Sequence, residues 1–81
     1  LGAAAVDQTG GGVRVVRVLP DSPASRAGLR VDDVIVRIKG QPIRNSRDYS
    51  DAVDASNRQM EITIRDGRTG QVRTMMVQLR Y

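Results

Sequence analysis

Ser22-Pro23-Ala24-Ser25-Arg26-Ala27-Gly28-Leu29, followed after three residues by Asp33-Val34-Ile35-Val36-Arg37-Ile38, is the stretch that decides how the 81-residue chain folds. Ser22 is a good N-cap, and Pro23 at the first helical position has the φ a helix needs while lacking only a surplus donor. Gly28 suits the left-handed position just past a helix, with Leu29 folding back as its apolar partner. One or two turns of helix are therefore expected, stopped at both ends by local chemistry. The near-continuous Val/Ile content of Asp33–Ile38 then reads as a buried strand.

Upstream, Val13-Arg14-Val15-Val16-Arg17-Val18-Leu19 is rich in β-branched residues and reads as a strand ended by Pro20. Its alternation slips at Val15-Val16, where a β-bulge would let Val13, Val15 and Val18 all face the core. Before it, the apolar Leu1–Val6 is followed by the turn cluster Asp7-Gln8-Thr9-Gly10-Gly11-Gly12. No Gly-Lys-Ser/Thr follows these glycines, so they are no phosphate cradle. Downstream, Lys39-Gly40 makes a tight turn into a short edge segment, Gln41-Pro42-Ile43. Ser46 is expected to cap a second helix running to about Ala55, with Tyr49, Ala52, Val53 and Ser56 along one face. Asp48, Asp51 and Asp54 lie off that stripe and read as a solvated acidic face near Arg44, Arg47 and Arg58, rather than a cation site. Met60–Arg65 alternates as a strand. Arg65–Gln71 reads as a hairpin connection, and Gln71–Leu79 as a last strand whose alternation puts one of Met75 and Met76 in the core. The order β-β-α-β-β-α-β-β is an α+β domain: a small, partly open antiparallel barrel or sandwich of five to six strands with two helices, occupying residues 1–81 as a single unit.

Composition narrows the chemistry. The chain has no Cys and no His, which removes zinc fingers, cysteine nucleophiles and Ser-His-Asp triads and leaves packing alone to hold the fold. No metal and no cofactor are expected. Its longest apolar run, Ala3–Val6, is too short to cross a membrane. The net charge of +4 comes from 13 Lys+Arg against 9 Asp+Glu. The arginines are scattered rather than gathered with aromatics, which fits a solvated surface better than a nucleic-acid groove. A serine paired with Lys39, the sole lysine, would be the one conceivable nucleophile and base. An exposed turn beside Gly40 would not depress the pKa of that lysine.

Together Val13-x-Val15-x-x-Val18, Ser22-Pro23-Ala24-x-x-Ala27-Gly28-Leu29, Asp33-x-Ile35, Ile38-x-Gly40 and Tyr49-x-x-Ala52-Val53 resemble a PDZ domain along the length of the chain. The resemblance is strongest to bacterial PDZ domains of the HtrA/Deg protease type, whose permuted strand order begins at the binding loop and takes the last strand from the C-terminus. It implies a non-catalytic module that binds C-terminal or extended peptide tails. Leu1, Gly2 and Ala3 would form the carboxylate-binding loop, with Leu1 lining the terminal pocket. Ala3, Ala4, Ala5 and Val6 would offer the strand edge. Tyr49, Val53 and Ser56 would form the helical wall.

The chain departs from the family at several positions. Tyr49 stands where many members carry histidine to read a ligand Ser or Thr, and its ring favours an apolar or aromatic ligand residue. Ser56 replaces a larger aliphatic residue, which makes the terminal pocket deeper or wetter. Asp32 and Lys39 stand where glycine and asparagine are usual. The basic residue that commonly supports the carboxylate lies outside the chain, leaving Arg44, Arg47 or a crossing arginine to replace it.

The reading that follows is a substrate-recognition or regulatory domain of an HtrA-like serine protease, in the cell envelope or periplasm or secreted. Its partners would be peptide tails and the protease domain of its own parent chain, not nucleic acid or the membrane interior. The chain looks like a piece excised from such a parent. The alternative is an interdomain clamp in a larger envelope protein, such as a processing peptidase or membrane metalloprotease, with no free-peptide ligand.

Overall fold

The structure, a computed structural model, describes residues 2–55 and 59–78. Its elements follow the expected order: β1 (Ala3–Asp7), β2 (Val13–Val18), α1 (Pro23–Ala27), β3 (Asp33–Ile38), β4 (Gln41–Pro42), α2 (Ser46–Asp54), β5 (Gln59–Asp66) and β6 (Val72–Gln78). The strands form one antiparallel sheet in the order β1-β2-β3-β5-β6, with β4 paired to β3 off this path. The sheet does not close, so β1 and β6 are its outer strands.

The slip in the β2 alternation is the expected bulge. Ala4 pairs with Arg17 and Ala5 with Val15, which leaves Val16 as the extra residue. Val13 and Val15 are fully buried, Val18 packs against the core and Val16 turns outward. One inserted residue thus restores the apolar face on both sides of the irregularity. A second shift passes over Val36 in the pairing of β3 with β5, and the Val36 carbonyl accepts from Ile43 N–H at 2.9 Å instead. That bond anchors the chain leaving β4 and buries Ile43.

Side chains from four strands meet in an aliphatic core whose largest fully buried members include Ile35, Ile38, Met60, Ile62 and Ile64. Each such side chain contributes about 1.5–3 kcal/mol through apolar burial. Met75 packs against this cluster while Met76 is exposed, as alternation along β6 requires.

Helix α1 is capped as read. Ser22 Oγ accepts from Ser25 N–H at 3.2 Å and donates to the Leu19 carbonyl at 2.7 Å. Gly28 adopts φ 92°, and Leu29 N–H returns to the Ala24 carbonyl at 3.1 Å. Asp32 takes φ 79°, the left-handed turn where glycine is usual. Its N–H donates to the Val15 carbonyl at 2.8 Å, which offsets the strain. The neighbouring Asp33 is buried, with Oδ2 accepting from Arg30 N–H at 2.9 Å.

The cap of α2 differs from expectation. Asn45, not Ser46, is the N-cap, and its Oδ1 accepts from Asp48 N–H at 2.9 Å. Ser46 is instead the first helical residue, and its own N–H donates to Asp7 Oδ1 at 2.6 Å. A carboxylate 39 residues away satisfies a donor that no local side chain reaches.

Candidate functional site: the open edge of β1 facing α2

Gly2 stands at the start of β1 with φ +88° and its surroundings leave room for no side chain. A Cβ there would collide with Ser22 Cβ and Oγ. The N-cap of α1 therefore presses on the loop that precedes β1, and only glycine tolerates both the backbone conformation and the contact.

Hydrogen bonding at the two ends of β1 fixes which of its main-chain groups face β2. Leu19 N–H donates to the Gly2 carbonyl at 2.8 Å, and Gln8 N–H donates to the Gly12 carbonyl at 3.1 Å. Antiparallel pairing alternates, so the even-numbered residues Gly2, Ala4, Val6 and Gln8 bond inward to β2. Ala3, Ala5 and Asp7 turn their N–H and C=O groups to the open side. That edge faces α2, against which β1 packs. The side chains of Ala3 and Ala5 rest on the core, while Ala4 and Val6 are exposed on the other face.

Bonds from α2 reach both ends of this edge. Tyr49 Oη donates to the Ala3 carbonyl at 3.2 Å, and Ser46 N–H donates to the Asp7 carboxylate. The Tyr49 ring is half-buried against the core, and burial pushes its hydroxyl pKa up to about 12. The hydroxyl is thus bonded within the domain. Val53 and Ala52 pack on the core from the same helical face.

Beside the loop an open, mostly apolar hollow of ≈ 340 Å³ is lined by Gly2, Ala3, Ala4, Arg17 and Leu19. Arg17, the β2 partner of Ala4, is the arginine that lines this hollow, whereas Arg44 pairs with Asp48 at 3.2 Å. Lys39 is exposed in its turn at φ 53°. No helix among the described residues is long and apolar enough to cross a membrane.

The structure thus packs Ala3, Ala5, Tyr49 and Val53 against one core, with Gly2 at the start of β1 and Ala4 and Val6 exposed on the opposite face. Leu1 and Ser56 lie outside the described residues. The sequence reading missed Asp7, Ser22 and Arg17 as parts of this site. Asp7 read as a turn residue, and no pattern in the chain marks it as a partner of α2.

Comparison with known proteins agrees with this geometry. The family model described as "PDZ domain" matches residues 14–66. Serine protease HTRA1 of Xenopus tropicalis is 39% identical over 56 residues, covering 69% of this chain and 12% of that protein. A probable periplasmic serine endoprotease DegP-like of Pseudomonas savastanoi pv. phaseolicola is 43% identical over 61 residues, covering 70% of this chain and 12% of its own length. The chain therefore matches about an eighth of these relatives. Among solved structures, the HtrA3 PDZ domain bound to a phage-derived ligand (FGRWV) superposes with a TM-score of 0.85 at 23% identity, covering 96% of this chain and 81% of that one. The HtrA-type protease AlgW with decapeptide superposes with a TM-score of 0.86 at 25% identity, covering 99% of this chain and 28% of that one. With two helices on an open antiparallel sheet, a glycine-led edge strand beside the second helix and this family match, the chain belongs to the PDZ domain family.

Proposed function

We propose that residues 1–81 form one non-catalytic module that binds C-terminal or extended peptide tails by strand addition to β1. The observation that carries the reading is the open side of β1, where Ala3 and Ala5 turn their main-chain groups toward α2 just after the left-handed Gly2. A ligand strand running antiparallel to β1 would exchange backbone hydrogen bonds with those two residues. Its terminal carboxylate would rest on the N–H groups around Gly2, a main-chain nest of the kind that holds anions. Arg17, in the adjoining hollow, supplies the positive charge. Alternate ligand side chains would point toward Tyr49 and Val53. With so few residues engaged, affinity on the order of micromolar is expected.

The similarity to HtrA- and DegP-type proteases supports a parent of that kind, with this domain delivering or reporting substrate tails to a protease domain. The DegP-like relatives named periplasmic support a place in the cell envelope. The peptide ligands named in the two solved structures above support the ligand class.

Titration with a hydrophobic C-terminal peptide, followed by NMR, tests the reading. Amide shifts are expected at Gly2–Val6 and along Tyr49–Ser56. Amidating the peptide's C-terminus removes charge-assisted bonds worth about 1.5–3 kcal/mol, so affinity should fall roughly tenfold to a hundredfold. Silence at those amides across a C-terminal peptide library would overturn the reading and favour an interdomain clamp. Binding of nucleic acid that collapses with added salt, without a peptide response, would overturn it in favour of phosphate contact.

A further inference from the structure

Strand addition needs acceptors on the open side of β1, and the first of them after Gly2 is already engaged. The Ala3 carbonyl accepts from Tyr49 Oη at 3.2 Å across 46 residues of chain. A ligand whose carboxylate rests at Gly2 places the N–H of its terminal residue opposite Ala3, since that is the next outward-facing position of the edge. A carbonyl oxygen can accept two bonds, but a ligand strand would lie about 4.8 Å from β1, between that edge and α2, in the space the tyrosine hydroxyl crosses to reach Ala3; hydroxyl and ligand would therefore compete for the open side of that carbonyl. Ala3, Ala5 and Tyr49 all pack against the same core.

Resting on the strand-addition reading, we infer that Tyr49 is an internal stand-in for the ligand, which a bound peptide displaces from the Ala3 carbonyl. Tyr49 then sets affinity in two opposing ways. Its ring offers an apolar wall to the incoming side chains, while its hydroxyl holds the groove in a ligand-free arrangement. Tyr49 is half-buried against the core and its bond to Ala3 is part-buried, which makes the internal bond harder for water to replace. The second crossing bond, Ser46 N–H to Asp7, fixes the other end of the groove and leaves the tyrosine as the member that must move.

The substitution Tyr49→Phe tests this because it keeps the ring and deletes only the competing donor. The variant should bind a hydrophobic C-terminal peptide about two- to tenfold more tightly than the wild type in calorimetry, while melting at a slightly lower temperature. In the free protein, the Ala3 carbonyl ¹³C resonance should shift on substitution; in the wild type, it should move on peptide addition together with Tyr49 Cζ. A purely structural tyrosine would lower the melting temperature and leave affinity unchanged or weakened, which overturns the displacement. An unmoved Ala3 carbonyl resonance in the free variant also overturns it. Absence of binding by both proteins refutes strand addition itself and the displacement with it, whereas equal binding by both refutes only the displacement.

Discussion

Replacing Gly2 by alanine isolates the contact that joins the start of β1 to the cap of α1. At φ +88° an alanine carries a left-handed penalty of about 1–2 kcal/mol. Its Cβ also collides with Ser22, which cannot move aside cheaply. The Ser22 hydroxyl is held by the Leu19 carbonyl at 2.7 Å and by Ser25 N–H at 3.2 Å. Relief must come from displacing the β1 start and losing the Leu19 to Gly2 bond of 2.8 Å, which adds roughly 1 kcal/mol. Gly2→Ala should therefore cost about 2–3 kcal/mol and lower the melting temperature on the order of 10–20 °C. The second mutation of a double-mutant cycle, Ser22→Gly, removes the obstacle while keeping a residue tolerated at an N-cap. In that background Gly2→Ala should cost only its conformational penalty, so urea unfolding should report a coupling near 1 kcal/mol. A coupling within about 0.3 kcal/mol of zero would refute the steric account. Peptide affinity should follow the same cycle, because the displaced loop carries the proposed carboxylate nest.

Asp7→Ala removes the acceptor of Ser46 N–H and should cost about 0.5–2 kcal/mol, comparable to a lost cap. Hydrogen exchange should accelerate at the first turn of α2 while β5 and β6 keep their protection; uniform acceleration would contradict the local role. Two carboxyls are held below their ordinary value of 3.8: Asp48 chiefly by the Arg44 backbone N–H and then its guanidinium, and Asp66 chiefly by the Arg68 backbone N–H. A lowered folded pKa means that the native state binds fewer protons than the unfolded one, so this contribution is present above 3.8 and lost as pH falls through the folded values. Asp48→Asn with Asp66→Asn should accordingly flatten the loss of stability seen by acid titration below that pH. An unchanged acid limb would show that these bonds do not discriminate folded from unfolded protein.

Much of the fold was legible because its signals act over short distances. The Ser22-Pro23 start and Gly28-Leu29 stop of α1 are set by bonds spanning three to five residues, and the structure reproduces them. The bulge at Val16 followed from a break in period-two alternation. The cap of α2 was misread for a related reason. Asn45 and Ser46 are both good caps, and local sequence cannot choose between them. In the structure Asn45 Oδ1 takes the Asp48 N–H as the cap, and Ser46, inside the helix, has its N–H satisfied by the Asp7 carboxylate from a distant strand.

The candidate site divides in the same way. From the sequence alone came an edge strand of small residues after a glycine, a helix presenting Tyr49 and Val53 on one face, and a chain without the His or Cys that many other chemistries require. The tertiary structure alone decided that Ser22 excludes any side chain at Gly2 and that Tyr49 spends its hydroxyl on Ala3 rather than on water. Capping, turn and alternation signals are written within a few residues because backbone geometry couples only near neighbours. Contacts between β1 and residues 20 to 46 positions away exist only once sheet register and core packing have brought those surfaces together.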